Sequence, residues 1–152
     1  MAFLLTCDRL KEVKRTTFLH SGARAENSAE HSWHLALMAL TLGQYAPSGT
    51  RIERVVQLLL VHDLVAIGAG DTHFGASAET LAAQAQGEAQ AARKLFGTLP
   101  PAQAAQVQAL RQEFGARTTP EGPVCPRPGR LAAHAAHLGC GRAWAARPGT
   151  RN

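Results

Sequence analysis

The sequence predicts an all-α protein, and three observations carry that expectation. Hydrophobic residues make up 45% of the chain but aromatics only 5%, with heavy use of alanine, which suits closely packed helices better than a β-sandwich. Two long apolar stretches, one around His31–Leu42 and one around Ile52–Val61, repeat their apolar positions at helical spacing. Helix start signals precede these stretches and two later ones. At 152 residues the chain is one domain by length and can bury a core.

Taken in order, Thr6 or Asp8 is expected to cap a short helix through Val13, with Leu5, Leu10 and Val13 as its apolar contacts. Lys14-Arg15-Thr16-Thr17 follows, then a polar loop from His20 to Asn27. Asn27 and Ser28 are good N-caps, and Glu30 falls in the first turn, where the helix dipole favours an acid. His31, Leu35, Met38 and Leu42 then share one face, with Trp33, Leu37 and Leu40 beside it. Pro47-Ser48-Gly49 makes the turn. Thr50 with Glu53 reads as a capping box for the next helix, whose Ile52, Val55, Val56, Leu59 and Leu60 predict a central, mostly buried element. Trp33, Leu37, Met38, Leu59 and Leu60 are expected in the core, and His20 and His73 on surface loops. Ser77 caps an Ala-rich helix to about Phe96, and Pro100-Pro101 opens another that ends near Phe114.

Composition changes abruptly near residue 121. Thr118-Thr119-Pro120-Glu121 announces a helix, yet Gly122-Pro123-Val124-Cys125-Pro126-Arg127-Pro128-Gly129 forbids one. Residues 1–121 hold 11 basic and 11 acidic residues, whereas residues 122–152 hold five Arg and no acid, so the net charge of +5 belongs entirely to the tail. The expected organisation is a helical core over residues 1–121 and an irregular, basic Pro/Gly/Arg-rich tail over residues 122–152. A tail of this kind reads either as a change of reading frame or as a disordered segment. Without Lys or aromatic interleaving, its charge does not mark a specific nucleic-acid site. Three Cys (Cys7, Cys125, Cys140) without CxxC spacing support neither a disulfide framework nor a zinc ribbon. The first residues lack the pattern of a signal peptide, and no apolar run reaches the roughly 18 residues of a membrane span, so a cytoplasmic location is expected.

Chemistry concentrates in two polar clusters on these apolar helices. The first is Glu30, His31 and His34; the second is the adjacent pair His62-Asp63 at the end of the central helix. A lone His on an apolar helix is usually a hydrogen-bonded core residue, and Asp63 alone reads as a helix-end acid. Together, imidazole nitrogen and carboxylate oxygen suit a divalent transition metal.

Arg15-Thr16-Thr17-Phe18-Leu19, E-N-S-A-E-H-S-W-H-L-A-L-M-A-L from Glu26 and V-H-D-L-V-A-I-G-A-G-D-T from Val61 resemble the HD-domain metal-dependent phosphohydrolases, in particular their small 5′-deoxynucleotidase-like branch. The resemblance spans roughly residues 8–121. It implies an HD-domain helical bundle around one divalent metal ion (of the Mn, Co, Zn or Mg class), a nucleoside 5′-monophosphate as substrate, and a homodimer. His31, His62 and Asp63 would be metal ligands. Arg15 would contact the substrate phosphate, and Asp71 would line the substrate side as a catalytic or substrate-binding acid. Glu30 and His34 would support the ligands or pack beside them.

Two departures bear on activity. The branch reads H-D-L-V-E, whose Glu handles protons at the metal-bound water; here that position is Ala66. A fourth ligand, an Asp on a C-terminal helix, is also expected, but no Asp follows Asp71 anywhere in the chain. His134 and His137 are the candidate substitutes. The implied reading is a phosphomonoesterase with impaired activity, or else a non-catalytic member that binds metal or nucleotide weakly or simply folds and dimerises.

Overall fold

The computed structural model describes residues 1–70 and 77–125. Six α-helices and one short hairpin appear among them: α1 (Ala2–Asp8), β1 (Lys14–Phe18), β2 (Ala25–Asn27), α2 (Ser28–Leu42), α3 (Ile52–Val61), α4 (Ala66–Ala69), α5 (Ala78–Phe96) and α6 (Pro101–Ala116). Asp71, His73, His134, His137 and Cys140, with everything expected of the chain beyond Cys125, lie outside the described residues.

The helical fold is as expected, and the hairpin corrects the expected polar loop. β1 and β2 pair antiparallel, with Lys14 opposite Asn27 and Phe18 opposite Ala25. Strand alternation turns Arg15 and Thr17 inward while Lys14, Thr16 and Phe18 face out. Gly22, at φ +72°, supplies the left-handed residue of the connecting turn, a conformation that a side chain resists. Its N–H donates to the Leu19 carbonyl (2.8 Å), and the Leu19 N–H donates to Arg24 (3.0 Å). At the N-terminus, the helix starts earlier than the expected Thr6 or Asp8 cap and continues as a 3-10 turn over Arg9–Glu12. Thr6 instead donates back to the Ala2 carbonyl at 3.0 Å, and of the expected contacts only Leu10 is buried.

Asn27 caps α2 as expected, and it does so reciprocally. Its side chain accepts from the Glu30 N–H (2.9 Å) while the Glu30 carboxylate accepts from the Asn27 N–H (2.7 Å). The expected capping box of Thr50 and Glu53 does not form. The N-cap of α3 is Arg51, without a cap from its own side chain. Glu121 accepts from the Arg51 N–H (3.2 Å) and from its guanidinium Nε (3.0 Å) instead. A carboxylate distant in sequence thus does the local residue's work.

Val55, Leu58 and Leu59 of α3 form the centre of the core with Leu35 of α2 and Leu110 and Phe114 of α6. A second cluster joins Val65 to Ala92, Leu95 and Phe96 of α5. Trp33, Leu37 and Leu60 correct the expected core: they are 63%, 41% and 49% exposed. Their helices carry apolar residues over a wider arc than their neighbours cover. After α6, Arg117 adopts a left-handed conformation (φ 55°) and the chain turns tightly through Glu121 to Cys125. Gly122 is fixed here by crowding, since a Cβ would lie 2.6 Å from the Arg117 Cα. Val124 and the fully buried Cys125 still pack on the main core.

Candidate metal centre

The polar site forms where the hairpin, α2 and the end of α3 meet. β1 supplies Arg15 and Thr17, β2 supplies Glu26, the first turn of α2 supplies His31, and the residues just past α3 supply His62 and Asp63. Each side chain is placed by ordinary local rules: strand alternation for Arg15 and Thr17, the pairing of β2 with β1 for Glu26, the Asn27 cap for His31, and the apolar packing of α3 for His62.

His31, His62 and Asp63 each offer a ligand atom, and these atoms lie within 4.8 Å of one another. The two imidazole centroids are 6.0 Å apart. The His31 Nδ1 lies 2.9 Å from the Glu26 Oε1. An ionised carboxylate only accepts, so Nδ1 carries a proton, and in the neutral ring Nε2 is then left with its lone pair. That Nε2 is buried and has no hydrogen-bond partner. His62 repeats the pattern, its Nδ1 donating to the Leu59 carbonyl at 2.7 Å. Burial depresses the His62 pKa, and the nearby His31 and Arg15 add to this; Asp63 and the Leu59 carbonyl push back without reversing it. The neutral ring therefore points its Nε2 lone pair at Asp63 Oδ1, 3.2 Å away.

Two acceptors facing each other, beside a third buried acceptor with no partner, form an arrangement that a cation resolves. Neutral imidazole nitrogen and carboxylate oxygen are also the donors that divalent transition metals take. Ligand atoms about 2.1 Å from one ion stand at most about 4.2 Å apart, so the set closes with a modest inward movement. His31, His62 and Asp63 fit a divalent metal.

Arg15 donates from Nη1 to Asp63 Oδ2 at 2.7 Å, and its Nε lies 3.4 Å from Glu26 Oε1. Its side chain is only 9% exposed, so the guanidinium belongs to the site and not to the solvated surface. Burial opposes ionisation of Glu26, but hydrogen bonds from His31 and from Thr17 (2.6 Å) and the nearby Arg15 charge hold its pKa below the usual carboxylate value. Sequence reasoning missed Glu26. Its signal was its place five residues before His31, which gains meaning only when β2 folds back on β1.

Two other expectations are corrected. His34 is exposed and stacks on Trp33, with centroids 6.1 Å apart, away from the ligands. Three residues on, it lies about 60° round the helix from His31, at the solvent edge of that face. Glu30 serves the α2 cap and pairs with the exposed Arg24 at 2.7 Å. Ala66, where the resemblance calls for Glu, is buried. Glu121, the last acid of the chain, sits at the opposite end of α3 from His62, about 15 Å along a ten-residue helix. It does not serve as the distal ligand. The ring of Phe114 packs on His62 at 4.8 Å.

No curated protein matches the chain. A solved structure from Magnetospirillum magnetotacticum MS-1, described as a predicted metal-dependent phosphohydrolase, is similar to it with a TM-score of 0.75 and 43% sequence identity. The match covers 89% of this chain and 63% of that one, so the chain spans less than two thirds of its neighbour's length. The HD domain family model matches residues 7–140, most of the chain, with His31, His62 and Asp63 inside the match. The chain belongs to the HD-domain family.

Proposed function

We propose that this chain is a metal-dependent phosphomonoesterase of nucleoside 5′-monophosphates, with activity limited by Ala66 and by the missing distal Asp. The observation that carries the metal-dependent part is the His62 Nε2 lone pair facing Asp63 Oδ1 beside the partnerless His31 Nε2. The similarity to a predicted metal-dependent phosphohydrolase supports the reaction class. The substrate class rests on the sequence resemblance.

In this reading His31, His62 and Asp63 hold the ion. When bound, a divalent ion supplies Lewis-acid activation of water at neutral pH and charge stabilisation at phosphorus. Arg15 binds the phosphate oxygens, a task that suits its planar fork of donors. It also keeps Asp63 oriented while the substrate is absent. Asp71 keeps its proposed role on the substrate side. A homodimer in the cytoplasm belongs to the same proposal. Trp33, Leu37 and Leu40, exposed along one side of α2, support a self-association surface.

Ala66 favours a second reading, in which the chain binds metal or nucleotide without turnover. Its methyl group neither gives nor takes a proton. Phosphate release from nucleoside 5′-monophosphates, assayed with added Mn²⁺ or Co²⁺, separates the two. Ala66→Glu is expected to raise kcat by about 10²–10⁴-fold, the usual contribution of general acid–base help. The larger side chain at a buried position is also expected to cost about 1–3 kcal/mol of stability. No gain in a metal-loaded, folded variant contradicts the assignment of position 66.

A further inference from the structure

Glu26 is outside the ligand set, yet the metal side and the phosphate side of the site both rest on it. One oxygen, Oε1, accepts from Thr17 Oγ1 (2.6 Å), lies 2.9 Å from His31 Nδ1, and stands 3.4 Å from Arg15 Nε. The side chain is 15% exposed, and the Arg15 and His31 side chains beside it are 9% and 7% exposed, so water offers them little alternative. A neutral imidazole carries its proton on one nitrogen only, and the hydrogen bond made by that nitrogen decides which one. With Glu26 at Nδ1, the proton is kept away from the ligand cluster. Without it, Nε2–H becomes available, and that N–H would point where an ion must sit.

We propose that Glu26 is the positioning residue of this site: it fixes His31 in the tautomer that presents Nε2 beside His62 and Asp63, and it steadies the Arg15 guanidinium against Asp63. The proposal rests on the reading of the site as a metal centre, but its first consequence is a property of the metal-free protein. Support of a ligand His by a carboxylate typically contributes 10–100-fold to metal affinity or activity. Glu26 differs from Glu30, its neighbour in sequence, in what it serves: Glu30 caps α2 and touches no ligand.

The test uses the full chain and two readouts. In metal-free protein near pH 7.5, where an ordinary imidazole is mostly neutral, long-range ¹H–¹⁵N correlation reports which His31 nitrogen carries the proton. The expected result is Nδ1–H in the wild type and a shift toward Nε2–H in Glu26→Ala. Co²⁺ titration followed by visible absorption is expected to show affinity about 10–100-fold weaker in Glu26→Gln, partly recovered in Glu26→Asp and unchanged in Glu30→Gln. A wild-type His31 in the Nε2–H form overturns the proposal without any variant having to fold. Unchanged tautomer and unchanged Co²⁺ affinity in folded Glu26 variants overturn it too. If the wild type does not bind Co²⁺, the metal reading fails, and the tautomer comparison still decides whether Glu26 positions His31.

Discussion

The two ends of α3 each gather arginines and carboxylates, but only at one end do several metal-ligating acceptors converge. At the N-terminal end, Glu121 accepts from the Arg51 N–H and guanidinium, and Glu113 takes two hydrogen bonds from Arg54 (3.0 and 2.5 Å) and one from Thr119 (3.0 Å). Those carboxylates are answered by donors, and the result is a clamp that ties the end of α6 and the turn after it to the central helix. At the C-terminal end, three acceptors converge and the His31 Nε2 has no partner. A saturated polar cluster holds a fold together, whereas an unsaturated one waits for a ligand. Arginines and carboxylates meet at both ends, and the balance of donors against acceptors separates structure from function.

The largest expected effect probes what joins the ends. Leu58 is fully buried midway between them, in the core that α2, α3 and α6 share. Leu58→Ala is expected to cost about 2–5 kcal/mol of stability in denaturant unfolding. The metal-dependent increment should persist in whatever fraction remains folded. Loss of that increment in folded protein would mean that the ligand geometry depends on core packing more than on its local hydrogen bonds.

Glu121→Gln acts on the clamp alone. It removes the charge from the α3 cap while keeping the shape, so the unfolding midpoint of metal-free protein should fall and the stabilisation by metal should not change. A reduced metal increment would show that the two ends are coupled.

Acidification separates His62 from the carboxylates, since Glu26 at its own end titrates low as Glu113 and Glu121 do. The folded-state pKa of His62 lies below its ordinary value of about 6.5, so the unfolded chain takes up that proton first. Stability should begin to fall as pH drops below about 6.5 and continue falling through the folded pKa. The Glu113 carboxyl is held down by its Arg54 hydrogen bond. For Glu121, burial raises the pKa, but its Arg51 bonds outweigh that. Their contribution is present above about 4.3 and is lost only at lower pH, as each folded pKa is crossed. Metal-free unfolding across pH should therefore show two stages, with His62→Gln flattening the first and sparing the second. A single acid transition below about 4.3 would contradict the assignment of a buried neutral His62.

Much of this comparison was legible in the sequence, and the rest was hidden for physical reasons. The Ser77 and Pro101 starts are local signals, and both appear: Ser77 accepts from the Thr80 N–H at 3.2 Å, and Pro101 opens α6. His31, His62 and Asp63 were identifiable because polar residues on apolar helices at a family's spacing are rarely accidental, and the structure brings them together. The hairpin was not legible. Its strands are five and three residues long and hold a mixture of charged and small residues, so period-two alternation had little to show itself with. Glu26 was missed with it. Thr50 misled because the Thr50-Glu53 spacing satisfies a local rule, while the actual cap comes from Glu121, far along the chain. Trp33 and Leu37 misled because periodicity gives the width of an apolar arc but not which part a neighbour covers.

Thermal unfolding of the purified chain with Mn²⁺, Co²⁺, Zn²⁺ or EDTA, beside His62→Ala, tests most directly whether the C-terminal end of α3 is a metal centre. A metal that binds only the folded state adds about 2.7 kcal/mol of stability at a hundredfold excess over its Kd. The expected result is a rise in midpoint with at least one of these ions, reversed by EDTA and absent in His62→Ala. No rise with any of them would contradict the central claim and leave His31, His62 and Asp63 as a buried polar cluster without an ion.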